Sequence, residues 1–315
     1  MGKVRTVCGD IKESELGFTM AHEHVFMDMS GHGAPDCAWS LYDWDKQLKI
    51  LRDYKAIGGG CIVDAMPRKN EGRDPARLQV ASIQSGVHII ACTGMFMEKR
   101  ESTGEYTVQD LEKMSPQEVT DFFVREITEG MDGTDIKAGW IKGGGSYCYI
   151  SELQEKTLRA GVRAAMTTGV SVHCHTTNGT EGLELIEIAE SEGMDLTRFG
   201  IAHIDRNLDY WLHKKICQKG CYLIYDGPGK IKYYPDSMRV DVLRKLVDDG
   251  FDKQIMLSMD MGKKSHHTVY GGGPGWGYVK LKFLPRLLEE GFSQETVDNF
   301  MIHNPARFYA MKNPE

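Results

Sequence analysis

VSVHCHTTNGTEGLELIEIAESEGMDLTRFGIAHI (170–204) decides the fold. It opens on an apolar, β-branched run that ends at His175. A helix-like segment, TEGLELIEIAESEG (180–193), follows and closes on Gly193. A second apolar run, FGIAHI (199–204), then carries His203 near its end. Near-continuous apolar strands joined through a helix argue for a parallel sheet covered by helices.

Outward from this unit the same alternation covers the chain. Strand-like runs precede it at 18–24, 60–65, 87–94 and 137–143, and follow it at 221–227 and 254–260. With 170–175 and 199–204 they make eight. Helix-like segments lie between them at 41–58, 117–129, 153–169, 207–220 and 237–250. In the last, Val240, Val242, Leu243, Leu246 and Val247 form one apolar helical face. Gly58, Gly86, Gly130, Gly169, Gly220 and Gly250 stand where left-handed C-caps belong, and Asn207 and Asp236 where helices start. Eight such units predict an α/β chain folded as a closed (β/α)8 TIM barrel, one domain over 1–315. An open doubly wound sheet is the alternative, but no G-x-G-x-x-G opens a helix after the first strand. DMGKKS (260–265) also lacks the upstream glycine of a phosphate-binding loop.

Composition narrows the function. With 38 basic and 45 acidic residues the net charge is −7, which gives no support for general nucleic-acid or anionic-membrane binding. No run approaches the ~18 apolar residues of a membrane span, and the N-terminus has no apolar signal region. Of the eight cysteines none makes a C-x-x-C pair. Free thiols in a reducing cytoplasm are the expectation.

Six side chains suited to metal fall at the strand ends: His22 and His24, Lys142, His175, His203 and Asp260. In a parallel barrel the working face is at the C-terminal strand ends. His22 and His24 are two apart and share a side of their strand. His173 faces the same way as His175 but lies deeper, so His175, nearer the strand end, is the preferred ligand. Asp260 can bind metal and accept a proton as the catalytic carboxylate. Lys142 is the odd member, because an amine with a pKa near ~10.4 is protonated and binds no metal. Burial beside cations lowers that pKa. The free amine can take up carbon dioxide as a carbamate, whose two oxygens can bridge two ions.

These residues sit in GFTMAHEHV (17–25), GRDP (72–75), IKAGWIK (136–142), HCHTT (173–177), AHIDRN (202–207), LSMD (257–260) and NPARF (304–308). In this order the chain resembles the phosphotriesterase family of the amidohydrolase superfamily over essentially its full length. The resemblance implies two divalent ions, one held by His22, His24 and Asp260, the other by His175 and His203, with carbamylated Lys142 and a hydroxide between them. Zinc is the first expectation; manganese, cobalt and iron also suit such donors. Some relatives use Glu one position later as the bridge, where this chain has Gly143. A homodimer is a further family-level expectation.

The loops after strands seven and eight, DGPGKIKYYPDSMR and MGKKSHHTVYGGG, concentrate cations at the mouth of an acidic protein. The expected reaction is therefore opening of an anionic sugar lactone, phosphorylated or carboxylated, with Lys230, Lys263 and Tyr270 as substrate contacts. A phosphoesterase acting on an organophosphate ester is the alternative, and amide hydrolysis a third. A neutral organophosphate would want an aromatic pocket, for which Met95, Phe96 and Trp276 offer little. A binding protein that keeps only the barrel conflicts with six filled ligand positions. Asp205 or Arg206, just after His203, is a candidate for proton transfer. The glycine-dense stretch at 270–278 reads as a loop or lid.

Overall fold

The computed structural model describes residues 2–29, 37–95, 97 and 108–312. Strands and helices alternate as β1 (Thr19–Glu23), α1 (Trp44–Ala56), β2 (Cys61–Asp64), α2 (Pro75–Ser85) and β3, in two segments (His88–Ile90 and Cys92–Gly94). They continue as α3 (Pro116–Thr128), β4 (Trp140–Gly145), α4 (Glu152–Thr168), β5 (Ser171–Thr176), α5 (Gly182–Ser191) and β6 (Phe199–Ala202). The series ends with α6 (Tyr210–Gln218), β7 (Tyr222–Tyr225), α7 (Asp236–Asp248), β8 (Ile255–Leu257) and α8 (Leu284–Glu289). The pairs formed among these eight strands are parallel, and neighbours in space are neighbours in sequence. Between β8 and β1 side-chain and loop bonds close the ring. Ser258 Oγ accepts from His22 N (2.9 Å), and Asp260 N donates to His22 O (3.2 Å). The chain is a (β/α)8 barrel.

Strand alternation divides the core into two layers. Met20, Ile62, Ile89, Ile141, Val172, Ile201 and Leu223 face the helices. Cys61, Val63, Ile90, Cys92, Trp140, Ile224 and Met256 fill the barrel interior. A floor closes the interior below: Val4 from the N-terminal hairpin, and Phe308 and Tyr309 from the helix Asn304–Tyr309. The upper end is left to polar side chains.

Local chemistry sets the helix ends. Asp74 caps α2, with Pro75 in its first turn; Ser115 and Ser151 form capping boxes on α3 and α4. Gly169 ends α4 at φ 79°, where a Cβ would lie 1.7 Å from Lys312 O. Two expected caps differ. Asp209, not Asn207, caps α6, its carboxylate accepting from Trp211 N (2.9 Å) and Leu212 N (3.3 Å). Asp236 is the first residue of α7 rather than its cap; its carboxylate joins the last two loops, accepting from Gly229 N (3.0 Å) and Tyr278 OH (2.7 Å). Among the described residues no helix is long and apolar enough to cross a membrane.

Candidate metal centre

The centre begins with an irregularity in β1. Its pairing with β2 slips between Met20 and Glu23. Met20 packs outward and Ala21 inward. The extra residue lets His22 point inward as well, and alternation then turns Glu23 out and His24 in. Glu23 accordingly bonds the chain beyond β8: Ser258 Oγ (2.9 Å), Met259 N (2.8 Å), Met261 N (3.0 Å) and Trp276 Nε1 (2.8 Å) all donate to it. These bonds flank Asp260, held at φ 46°. His203, just past β6, is also left-handed, at φ 62°. For side chains with a Cβ such backbone is strained, and two instances at one barrel end mark a functional site.

The six candidate ligands all line one cavity of about 170 Å³ at the C-terminal strand ends. The His203 ring stands 4.7 Å from that of His22 and 4.5 Å from that of His175, centroid to centroid. His24 Nε2 lies 3.1 Å from Asp260 Oδ1, and His22 Nε2 3.8 Å from it. Lys142 Nζ donates to Ala65 O (2.7 Å). Two overlapping groups bring donor atoms within 4.8 Å of one another: His22, His24, Asp260 and His22, His203, Asp226.

Electrostatics prepare these atoms. Burial, with the nearby Lys142 charge, holds His22 well below the ordinary imidazole range; burial and neighbouring cations do the same to His175 and His203. All three rings are neutral at pH 7 and carry a lone pair. Burial also lowers the Lys142 amine, toward the form that reacts with carbon dioxide. Burial would raise the Asp260 carboxyl, but Lys230, the His24 hydrogen bond and Arg206 hold it well below the carboxylate range. Arg206 Nη2 donates to Asp260 Oδ2 at 2.5 Å, and Lys230 Nζ to Asp260 O at 2.6 Å. His22 Nε2 is buried without a hydrogen-bond partner. Neutral imidazoles, carboxylates and one unpartnered ring nitrogen fit divalent cations.

Other expected residues scatter. Lys230 and Lys263 line the cavity, Lys263 with its ammonium 4.0 Å from the Trp39 ring centroid. Tyr270 does not line it. Its loop folds back onto α1, where Tyr270 OH accepts from Gln47 Nε2 (3.2 Å). Asp205 points away from the cavity and binds Arg239 (2.8 Å), so the residue after His203 that faces Asp260 is Arg206. Met95 and Trp276 are buried outside the cavity lining, and Phe96 lies outside the described residues. Trp276 pins the glycine-dense loop to Glu23. Sequence reasoning missed Asp226, whose Oδ2 lies 2.7 Å from His203 Nδ1 and whose carboxyl burial pushes up to about 6. Its signal was position: an acid directly after β7, level with the other strand-end candidates.

Fold and site define a barrel hydrolase with a histidine-rich centre suited to metal. The chain belongs to the phosphotriesterase family, whose model matches residues 2–309. It is an enzyme acting on ester bonds. A crystal structure of a lactonase from Listeria monocytogenes superposes with a TM-score of 0.91 at 35% identity, covering 99% of this chain and 100% of that one. A phospho-furanose lactonase from Mycoplasmopsis synoviae (strain 53) is 32% identical over 97% of this chain and 91% of its own. An N-acetyltaurine hydrolase from Danio rerio is 30% identical over 99% of each.

Proposed function

We propose that this protein is a metal-dependent lactonase that opens an anionic sugar lactone, phosphorylated or carboxylated. One observation carries the substrate class. Among the cavity's described lining residues a single carboxylate, Asp260, meets the basic side chains of Lys142, Arg206, Lys230, Lys232 and Lys263, in a chain of net charge −7. Arg206 and Lys230 already neutralise Asp260, so Lys232 and Lys263 are surplus positive charge at the mouth. A substrate anion is what such an excess attracts. The phospho-furanose lactonase among the relatives agrees with this reading.

His22, His24, His175, His203, Asp260 and Lys142 as its carbamate would hold two divalent ions, zinc first, which supply Lewis acidity toward the ester carbonyl and the attacking water. The chain's own groups do the rest. Asp260, kept ionised by Lys230 and Arg206, accepts the proton of the attacking water and returns it to the leaving alkoxide oxygen. Lys263 and Lys232 orient the distal anion. Met27, Met29 and Trp39 add apolar surface to the lining, Trp39 beside Lys263. Amide cleavage is the second reading, favoured by the N-acetyltaurine hydrolase likeness. The cationic wall weighs against a neutral organophosphate.

Hydrolysis of paired sugar lactones, with and without a 5-phosphate, tests this. The phosphorylated member should be preferred at least about tenfold, one cation contact being worth ~1.4 kcal/mol. Lys263→Ala, which leaves Asp260 untouched, should raise KM about tenfold for that member alone. Equal effects on both members would remove the anion site, and cleavage of an N-acyl sulfonate in place of either lactone would move the enzyme to the amide class.

A further inference from the structure

One polar line crosses the otherwise apolar barrel interior. Tyr309, at the end of the floor helix, donates its hydroxyl proton to Ala21 O (2.9 Å). Its oxygen lies 3.2 Å from His173 Nδ1, and His173 Nε2 lies 3.0 Å from His22 Nδ1. Trp140 stacks on the His173 ring at 4.8 Å and fixes its rotation. All of these side chains are fully buried.

The protons along this line can be assigned. A carbonyl only accepts, so the Tyr309 proton is committed to Ala21, and the phenol oxygen must accept from His173 Nδ1–H. His173 is fully buried against Tyr309, His22 and Trp140, none of which supplies a negative charge to hold a second proton on its ring. Its Nε2 is then an acceptor, which makes His22 Nδ1 the donor. His22 Nε2 is left with a bare lone pair, and it is the buried atom without a partner.

We propose that Tyr309 and His173 are positioning residues: they lock His22 in its Nδ1–H tautomer and so present Nε2 to the metal. The inference rests on the metal-centre reading above. It assigns His173 a role distinct from that of a ligand, and ties the barrel floor to the mouth through one run of hydrogen bonds. Partners that orient a ligand histidine typically govern metal affinity 10–100-fold.

Long-range 1H–15N spectra of the metal-free, full-length wild type should show both His22 and His173 as Nδ1–H tautomers. An Nε2–H form on either ring would overturn the proposal without any variant. Zinc affinity, measured by competition with a chelator, should fall about tenfold in Tyr309→Phe. It should stay within about twofold in Phe308→Leu, which loosens the same floor but breaks no hydrogen bond of the line. Equal zinc affinity in Tyr309→Phe and wild type would also overturn it. A wild type with the expected tautomers that takes up no zinc would instead sink the metal-centre reading, and with it the purpose assigned to the line.

Discussion

Two clusters of buried charge, one behind β3 and one at the barrel mouth, are built on opposite principles. Behind β3, Arg73 spends all five of its donors. Nε bonds Asp132 (2.8 Å), Nη1 bonds Glu126 (2.9 Å) and Cys92 O (3.1 Å), and Nη2 bonds Asp132 (2.8 Å) and Glu126. Thr93 donates to the same Glu126 carboxylate. At the mouth, Arg206 Nε, His22 Nε2 and Asp226 Oδ1 are buried and make no hydrogen bond. Left-handed backbone at His203 and Asp260 adds strain there. The first cluster has nothing to offer a ligand; the second has donors and acceptors to spare. Burial of charge therefore does not tell these two clusters apart; the polar atoms left without a hydrogen bond do.

The comparison breaks most sharply at Lys142. Lys142→Ala removes the proposed bridge and should lower turnover on the order of 10³-fold or more, the several kcal/mol that metal activation supplies. Metal content after dialysis should fall with it, and bicarbonate or short carboxylates should restore part of both. Full metal content in the variant would show that the mouth needs no bridge. The closed cluster should answer in the other currency: Arg73→Met strands Glu126 and Asp132 in the interior and should cost about 3–5 kcal/mol of stability by urea unfolding, while the surviving folded fraction keeps its metal. Loss of metal at unchanged stability would reverse the two assignments.

Sequence periodicity was enough to reveal the barrel and the candidate ligands at its strand ends, because strand ends are where apolar alternation stops and polar chemistry begins. The reason His22 faces inward was not legible. Simple alternation through Ala21 would turn it outward, and only the inserted residue of the β1 irregularity corrects the phase. Asp226 was passed over because nothing near it in sequence completes a motif; its partner, His203, is contributed by the neighbouring strand. Tyr270 and Asp205 lie outside the cavity lining for the complementary reason. Proximity along the chain to a ligand loop does not fix side-chain direction, and each is turned to a partner, Gln47 and Arg239, that sequence proximity could not announce.

Glu23 sharpens the comparison because it is a third kind of buried charge, complete in hydrogen bonds yet without a contacting cation. Burial outweighs its bonds to Met261 and Ser258 and raises its carboxyl from 4.5 to about 7. The folded value lies above the unfolded one, so between them the folded state binds more protons. Stability from this group is full below about pH 4.5, falls as pH rises through about 7, and is constant above; at ~1.4 kcal/mol per unit the loss is about 3 kcal/mol. The neutral buried histidines His22, His173 and His203 act in the opposite sense, gaining stability as pH passes their unfolded value of 6.5. The wild-type profile of the metal-stripped protein sums both, and the difference from Glu23→Gln isolates the carboxylate. That variant keeps one acceptor oxygen and puts an NH2 donor in place of the other, so either Met259 or the pair Met261 and Trp276 loses its acceptor, and it should be less stable throughout. Its deficit should nonetheless shrink between pH 5 and 8, since it carries no charge to bury. A deficit that grows over that interval would mean that the Glu23 anion is stabilised in place, making it a member of the closed class alongside Glu126.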